Sequence, residues 1–159
     1  MFKVLFCIKQ QFSYQNNTVS SAPSSTYEHY LTSLGRFDNR PIAVGGYSPF
    51  LNKKVEELRK GVWRTLNDLP FVEKQIYSYS MVTFNEMLYL FGRFFNFTKH
   101  VKRIILLNYI FQYTGALTLA IKYDGTTWTQ VGSLMNQRYA HRSIVIDNSI
   151  MHIGGWNTQ

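Results

Sequence analysis

The residues able to do chemistry are few in this chain of 159, and their spacing assembles no reactive centre. Four histidines, His29, His100, His141 and His152, lack the ligand spacing of a zinc site. His141 and His152 flank one expected hairpin and can face each other across it, as a structural pair rather than a metal site. The lone cysteine, Cys7, rules out an intramolecular disulfide framework and any multi-cysteine metal centre. Glu56 and Glu57 are adjacent, but neighbours on a strand point to opposite faces, the wrong geometry for two cooperating carboxylates. No Gly-x-Ser-x-Gly and no phosphate loop occur, and no helix able to hold phosphate follows Gly45-Gly46. The expectation is therefore a non-catalytic protein with no cofactor, no metal and no small-molecule substrate.

The elements that carry these residues follow from composition and patterning. Hydrophobic residues make up 45% of the chain and charged residues 16%, which excludes wholesale disorder. Aromatics are 16%, and apolar runs that stop at glycine point to β structure. The net charge of +8 invites a nucleic-acid reading, but Lys53-Lys54 is followed by Glu56-Glu57, so the charge is mixed along the chain. One dense basic cluster remains, Lys99, His100, Lys102 and Arg103. No nucleic-acid partner is expected.

Three segments superimpose without gaps, each ending in glycine: 37–45, 84–92 and 146–154. Each has an apolar residue, then Asp or Asn, then a turn, then an apolar strand. Ser80–Thr83 and Arg142–Val145 extend the match backwards as a preceding strand, giving a hairpin. Downstream, Leu58 stands five residues before Trp63, and Tyr123 five before Trp128. The segments around them read as strand, turn and a Trp-bearing strand. The unit is thus four short strands, two before the glycine and two after it.

This pattern resembles the kelch repeat. The matching residues are the diglycines Gly45-Gly46 and Gly154-Gly155, the single Gly92, the positions Leu58 and Tyr123, and the tryptophans Trp63 and Trp128. Arg138-Tyr139-Ala140-His141 looks like the Arg-x-x-His that opens a kelch blade. The resemblance implies an all-β fold: a partial, unclosed kelch-type β-propeller sector of four-stranded antiparallel blades over 27–159. It also implies a protein-interaction scaffold that binds protein partners through loops between strands, with Tyr47–Lys53 and Pro70–Tyr77 as candidate segments. Propeller enzymes similar to kelch proteins, of the galactose-oxidase type, use copper with a Tyr–Cys cross-link. Cys7 lies outside the repeats, so those residues are absent.

The chain departs from the pattern in three places. Gly92-Arg93 replaces a diglycine, and 94–112 follows without an acidic residue. Gly45 to Trp63 is 18 positions but Gly92 to Trp128 is 36. This segment reads as an irregular or helical insert, either a long loop within a blade or sequence foreign to the domain. Residues 1–26 carry no repeat signal and read as a poorly ordered leader. The last unit has only its first two strands, as expected of a fragment of a larger propeller.

A rival reading is a membrane-associated protein anchored by the basic and apolar segment 99–121, because Ile104–Ile121 has no charge. Asn108, Gln112 and Gly115 near its middle argue against a span. Met1–Ile8 is interrupted by Lys3 and makes a poor signal peptide, and a cytoplasmic location fits the single cysteine.

Overall fold

The computed structural model describes residues 11–15, 18–46, 53–70, 74–96, 117–136, 138 and 140–156. Among them are thirteen strands and no helix. The repeated unit sets the architecture. Strands β3 (Leu34–Phe37), β4 (Arg40–Val44), β5 (Val55–Arg59) and β6 (Val62–Thr65) form one four-stranded antiparallel meander. Strands β8 (Ser80–Phe84), β9 (Met87–Asn96), β10 (Leu117–Tyr123) and β11 (Trp128–Gly132) form a second in the same order. Strands β12 (Arg142–Ile146) and β13 (Ser149–Ile153) form a hairpin that repeats the first half of the unit.

The three first-half hairpins are superimposable because their turns are chemically alike. Asp38-Asn39, Asn85-Glu86 and Asp147-Asn148 each take φ near +45° to +60° at both turn positions. Asn and Asp tolerate this left-handed conformation, and its twist matches that of the flanking strands. Two-residue turns then fix the register, pairing Phe37 with Arg40, Phe84 with Met87 and Ile146 with Ser149.

The meanders bury one another's faces. Ile42, Val44, Val55, Tyr79, Leu90 and Ile121 belong to one core shared by both meanders. Burial of a Val, Leu or Ile side chain stabilises by roughly 1.5–3 kcal/mol, so this shared core is what holds the sheets together. The sheets meet through their first strands: β8 lies against β3 on one side and β12 on the other.

Two sequence expectations are corrected. The segment read as an irregular or helical insert starts as strand, since β9 runs through Gly92-Arg93 to Asn96. There it pairs with β7 (Lys74–Ile76) on one edge, and with Leu117 of β10 through Phe94 on the other. The physical reason is local. Gly45 and Gly46 take φ of 56° and 133° and end β4, whereas Gly92 keeps extended backbone and aromatic residues carry the strand onward. The remainder of that segment, 97–112, lies outside the described residues, as does 99–116 of the proposed anchor. The leader is also more structured than expected: β1 (Gln11–Gln15) and β2 (Thr18–Ala22) form an antiparallel hairpin. Alternating polar and aromatic or β-branched residues about Asn16-Asn17 favour such a hairpin. Of that leader, 1–10 falls outside the described residues.

Candidate functional site

The site grows out of three equivalent turns that precede β3, β8 and β12. Leu31, Ser78 and Ala140 occupy the same place in each repeat and all take positive φ, of 56°, 53° and 55°. None is glycine, so each holds a conformation costing of order 1 kcal/mol or more unless its surroundings demand it. The demand is visible. Ser78 N donates to Leu31 O at 2.7 Å, and Ala140 N donates to Ser78 O at 2.7 Å. A backbone chain of hydrogen bonds therefore steps from repeat to repeat at one position. Ser33 Oγ donates to Tyr79 O at 2.7 Å, and Gly46 N to Ile76 O at 2.9 Å, adding two more ties between repeats.

Beside these turns the first residues of β3, β8 and β12 open a cleft of about 240 Å³. Thr32, Ser33, Ser80, Arg142 and Ser143 line it together with Leu34 and Met81. Ser33, Ser80 and Arg142 are equivalent residues of the three repeats, so the repeat itself converges them. Hydroxyls that donate and accept, beside a guanidinium that only donates, suit a ligand rich in carboxylate and carbonyl oxygens. Arg142 Nη1 also donates to His141 O at 3.2 Å, which steers its side chain near the cleft.

Two buried clusters hold further ionisable side chains. In the first, Glu56 is fully buried and accepts Thr26 N at 3.1 Å, Tyr27 N at 3.0 Å and His29 Nε2 at 2.9 Å. His29 Nδ1 donates to Gly45 O at 2.6 Å. A carbonyl can only accept, so the Nδ1 proton points at Gly45 O, while Nε2 faces the Glu56 carboxylate. The ring thus bridges the Gly45 carbonyl and the buried carboxylate. Burial alone would raise the Glu56 carboxyl, but hydrogen bonds from Tyr27, Thr26 and His29 outweigh it and hold it below its ordinary 4.5. Glu57 points the other way and meets Arg40 Nε at 2.8 Å, as alternation along a strand requires.

In the second cluster His141 is fully buried, and neither ring nitrogen has a hydrogen-bond partner. Its ring meets that of His152 edge-on at 5.5 Å, and His152 Nδ1 lies 2.8 Å from Ser143 Oγ. Burial, reinforced by His152, Arg138 and Arg142, pushes the His141 imidazole down to about 4. The two histidines do face each other as the hairpin predicts, and no group of three metal-ligating side chains occurs among the described residues.

The remaining repeat markers serve packing. Gly46 takes φ of 133°, and a side chain there would lie 3.0 Å from His29 Cα and Tyr30 N. Gly92 lies against Tyr79, whose Cα would sit 2.8 Å from an added Cβ. Tyr79 is fully buried, donates its hydroxyl to Val44 O, and has its ionisation pushed well up by burial. Leu58 and Trp63 are cross-strand partners, as are Tyr123 and Trp128, whose rings stack at 4.6 Å. Trp63 Nε1 donates to Pro23 O at 2.9 Å, tying the chain ahead of the first meander to its outer strand. Arg138 Nη1 donates to Gly154 O at 3.4 Å, and Gly154 and Gly155 take φ of 69° and 89°. Of the candidate contact loops, 47–52 and 71–73 lie outside the described residues.

No family model and no curated protein matches this sequence. Among solved structures the chain is similar to that of YjhT, with a TM-score of 0.67 and 18% identity over 94% of this chain. The likeness is one of fold. The chain spans 45% of the length of that structure.

Proposed function

We propose that this chain is a sector of a kelch-type β-propeller and a non-catalytic protein-interaction scaffold. The observation that carries the reading is the side-by-side array of β3, β8 and β12, tied at Leu31, Ser78 and Ala140. First strands that neighbour one another while each sheet runs outward are what blades around a common axis require. Such an array brings equivalent residues of successive blades together at one end. Here that end is the cleft of Ser33, Ser80, Ser143 and Arg142. Its hydroxyls and guanidinium fit an extended acidic segment of a protein partner, the carboxylate against Arg142 and the peptide groups against the serines.

Peptide display against the 159-residue chain tests this. Selected peptides are expected to be enriched in Asp and Glu, and to lose about tenfold or more in affinity against Arg142→Ala, the usual cost of a charge-assisted hydrogen bond. Selection that returns no acidic preference, or binding that Arg142→Ala leaves unchanged, overturns the reading.

A further inference from the structure

The hydroxyls that line the cleft differ in what they can offer a ligand. Thr32 Oγ1 donates to His29 O at 3.2 Å, and Ser33 Oγ donates to Tyr79 O at 2.7 Å. A hydroxyl has a single proton, so both of these can only accept from a ligand. Ser143 Oγ has a different partner, His152 Nδ1 at 2.8 Å. A ring nitrogen donates when protonated and accepts when bare. With a proton on Nδ1, His152 donates to Ser143 Oγ, and the serine proton is left for the cleft. With Nδ1 bare, the serine proton goes to the ring, and only lone pairs face the cleft. Through Ser143, His152 decides which of the two the cleft presents.

The surroundings of that ring favour one answer when an anion is present. His152 meets Ser143 across the hairpin, and its ring lies edge-on to Phe91 of β9 at 4.4 Å and to His141 at 5.5 Å. Arg138 is the charged group acting on it, and Arg138 and Arg142 both act on His141. Burial first, and Arg138 second, push the His152 imidazole below its ordinary 6.5, so without a ligand the ring is neutral at pH 7. Arg142 lines the cleft beside Ser143. A carboxylate held there sets negative charge against this positive field and favours the charged ring.

We propose that His152 is a specificity-determining residue of the cleft: a carboxylate bound at Arg142 and Ser143 draws a proton onto His152, and Ser143 then donates to the carboxylate. The inference rests on the acidic-segment reading above and adds a proton to it. The cleft then carries two sets of groups of opposite character. Arg142 and Ser143 donate to the carboxylate, while Thr32 and Ser33 accept from N–H groups of the same ligand. Coupling of this kind is reciprocal: the ligand raises the proton affinity of His152, and protonation raises the affinity for the ligand. Affinity therefore climbs as pH falls through the ligand-bound midpoint of His152, and levels off below the ligand-free one.

Calorimetry of the 159-residue chain with hexaglutamate tests this between about pH 7.5 and pH 5.5, where the peptide carboxylates stay ionised. The chain is expected to bind ~5-fold or more tighter at the lower pH, the low end of couplings between sites. His152→Asn keeps an amide at the Nδ1 place but cannot titrate, and is expected to bind with little change across that range. Ser143→Ala is expected to weaken binding more at the lower pH than at the higher, and an equal loss at both overturns the proposal. Where a variant fails to fold, the unmodified chain still decides, because saturating hexaglutamate is expected to raise the His152 midpoint in an NMR titration. Binding that needs Arg142 but is flat in pH, or a His152 midpoint unmoved by the peptide, overturns this inference and leaves the acidic-segment reading standing. A gain at low pH that persists undiminished in His152→Asn also overturns it. Hexaglutamate bound at neither pH overturns both.

Discussion

Replacing Glu56 by Gln perturbs the structure at one atom and lets its consequence be worked out. The carboxylate satisfies three donors with two oxygens: Thr26 N on Oε1, and Tyr27 N and His29 Nε2 on Oε2. Gln has one carbonyl oxygen. Placed at the Oε2 position, it keeps Tyr27 and His29 but turns its NH2 towards Thr26 N–H. Flipped, it keeps Thr26, can donate to an unprotonated His29 Nε2, and turns the NH2 towards Tyr27 N–H. Either way one backbone N–H in a buried site faces a donor, which costs about 1–3 kcal/mol. Glu56→Gln is therefore expected to destabilise by ~2 kcal/mol in urea unfolding at pH 7. Glu56→Ala leaves Thr26 N, Tyr27 N and His29 Nε2 without their buried partner, and ~4 kcal/mol is expected. The pH response separates the mechanism from simple packing loss. A carboxyl held below its ordinary 4.5 stabilises the fold above that value and loses the contribution as pH falls through the lower folded value. The Gln variant lacks this part of the acid limb. A cost under about 0.5 kcal/mol, or an acid limb identical to wild type below pH 4.5, would refute the reasoning.

Two further outcomes follow from the flanking contacts. His141, neutral and pushed down to about 4 from 6.5, contributes stability that is full above pH 6.5 and drains away as pH falls towards 4. The loss is ~2–3 kcal/mol from the size of that displacement; His141→Phe, which sacrifices no hydrogen bond, is expected to flatten the unfolding free energy across that window, and an unchanged slope would count against it. Gly92→Ala would place a Cβ 2.7 Å from Tyr79 Cβ and 2.8 Å from its Cα, atoms that cannot rotate away. A cost of ~1–3 kcal/mol in thermal or urea unfolding is expected, and a neutral result would show that Tyr79 does not lie against this strand.

The parts of the fold legible in the sequence are those fixed by local chemistry. Asp38-Asn39, Asn85-Glu86 and Asp147-Asn148 announce tight turns because Asn and Asp tolerate positive φ, and the apolar runs behind them must be strands. Leu58 with Trp63 and Tyr123 with Trp128 are legible because a short turn makes such residues face each other. The ties between repeats are not legible in that way. Leu31, Ser78 and Ala140 share a backbone conformation but no residue type, since the constraint comes from hydrogen bonds between main chains. In the sequence Glu56 stands out only as the neighbour of Glu57, yet its partners lie 27 to 30 positions away, where sequence spacing carries no signal. The cleft draws serines and an arginine from three repeats, and each is unexceptional until the strands stand side by side. The hairpin at Gln11–Ala22 had a signal in Tyr14 and Val19, obscured because valine stands where the later units carry tryptophan.

The central claim is that β3, β8 and β12 stand next to one another as the inner strands of successive blades. Hydrogen exchange of the Ser78 and Ala140 amides measures it most directly, because both donate to the preceding repeat and to nothing within their own sheet. The account predicts that both amides exchange as slowly as the strand amides of β4 and β9. Exchange at the rate of an open turn at both positions, with β4 and β9 still protected, would contradict it.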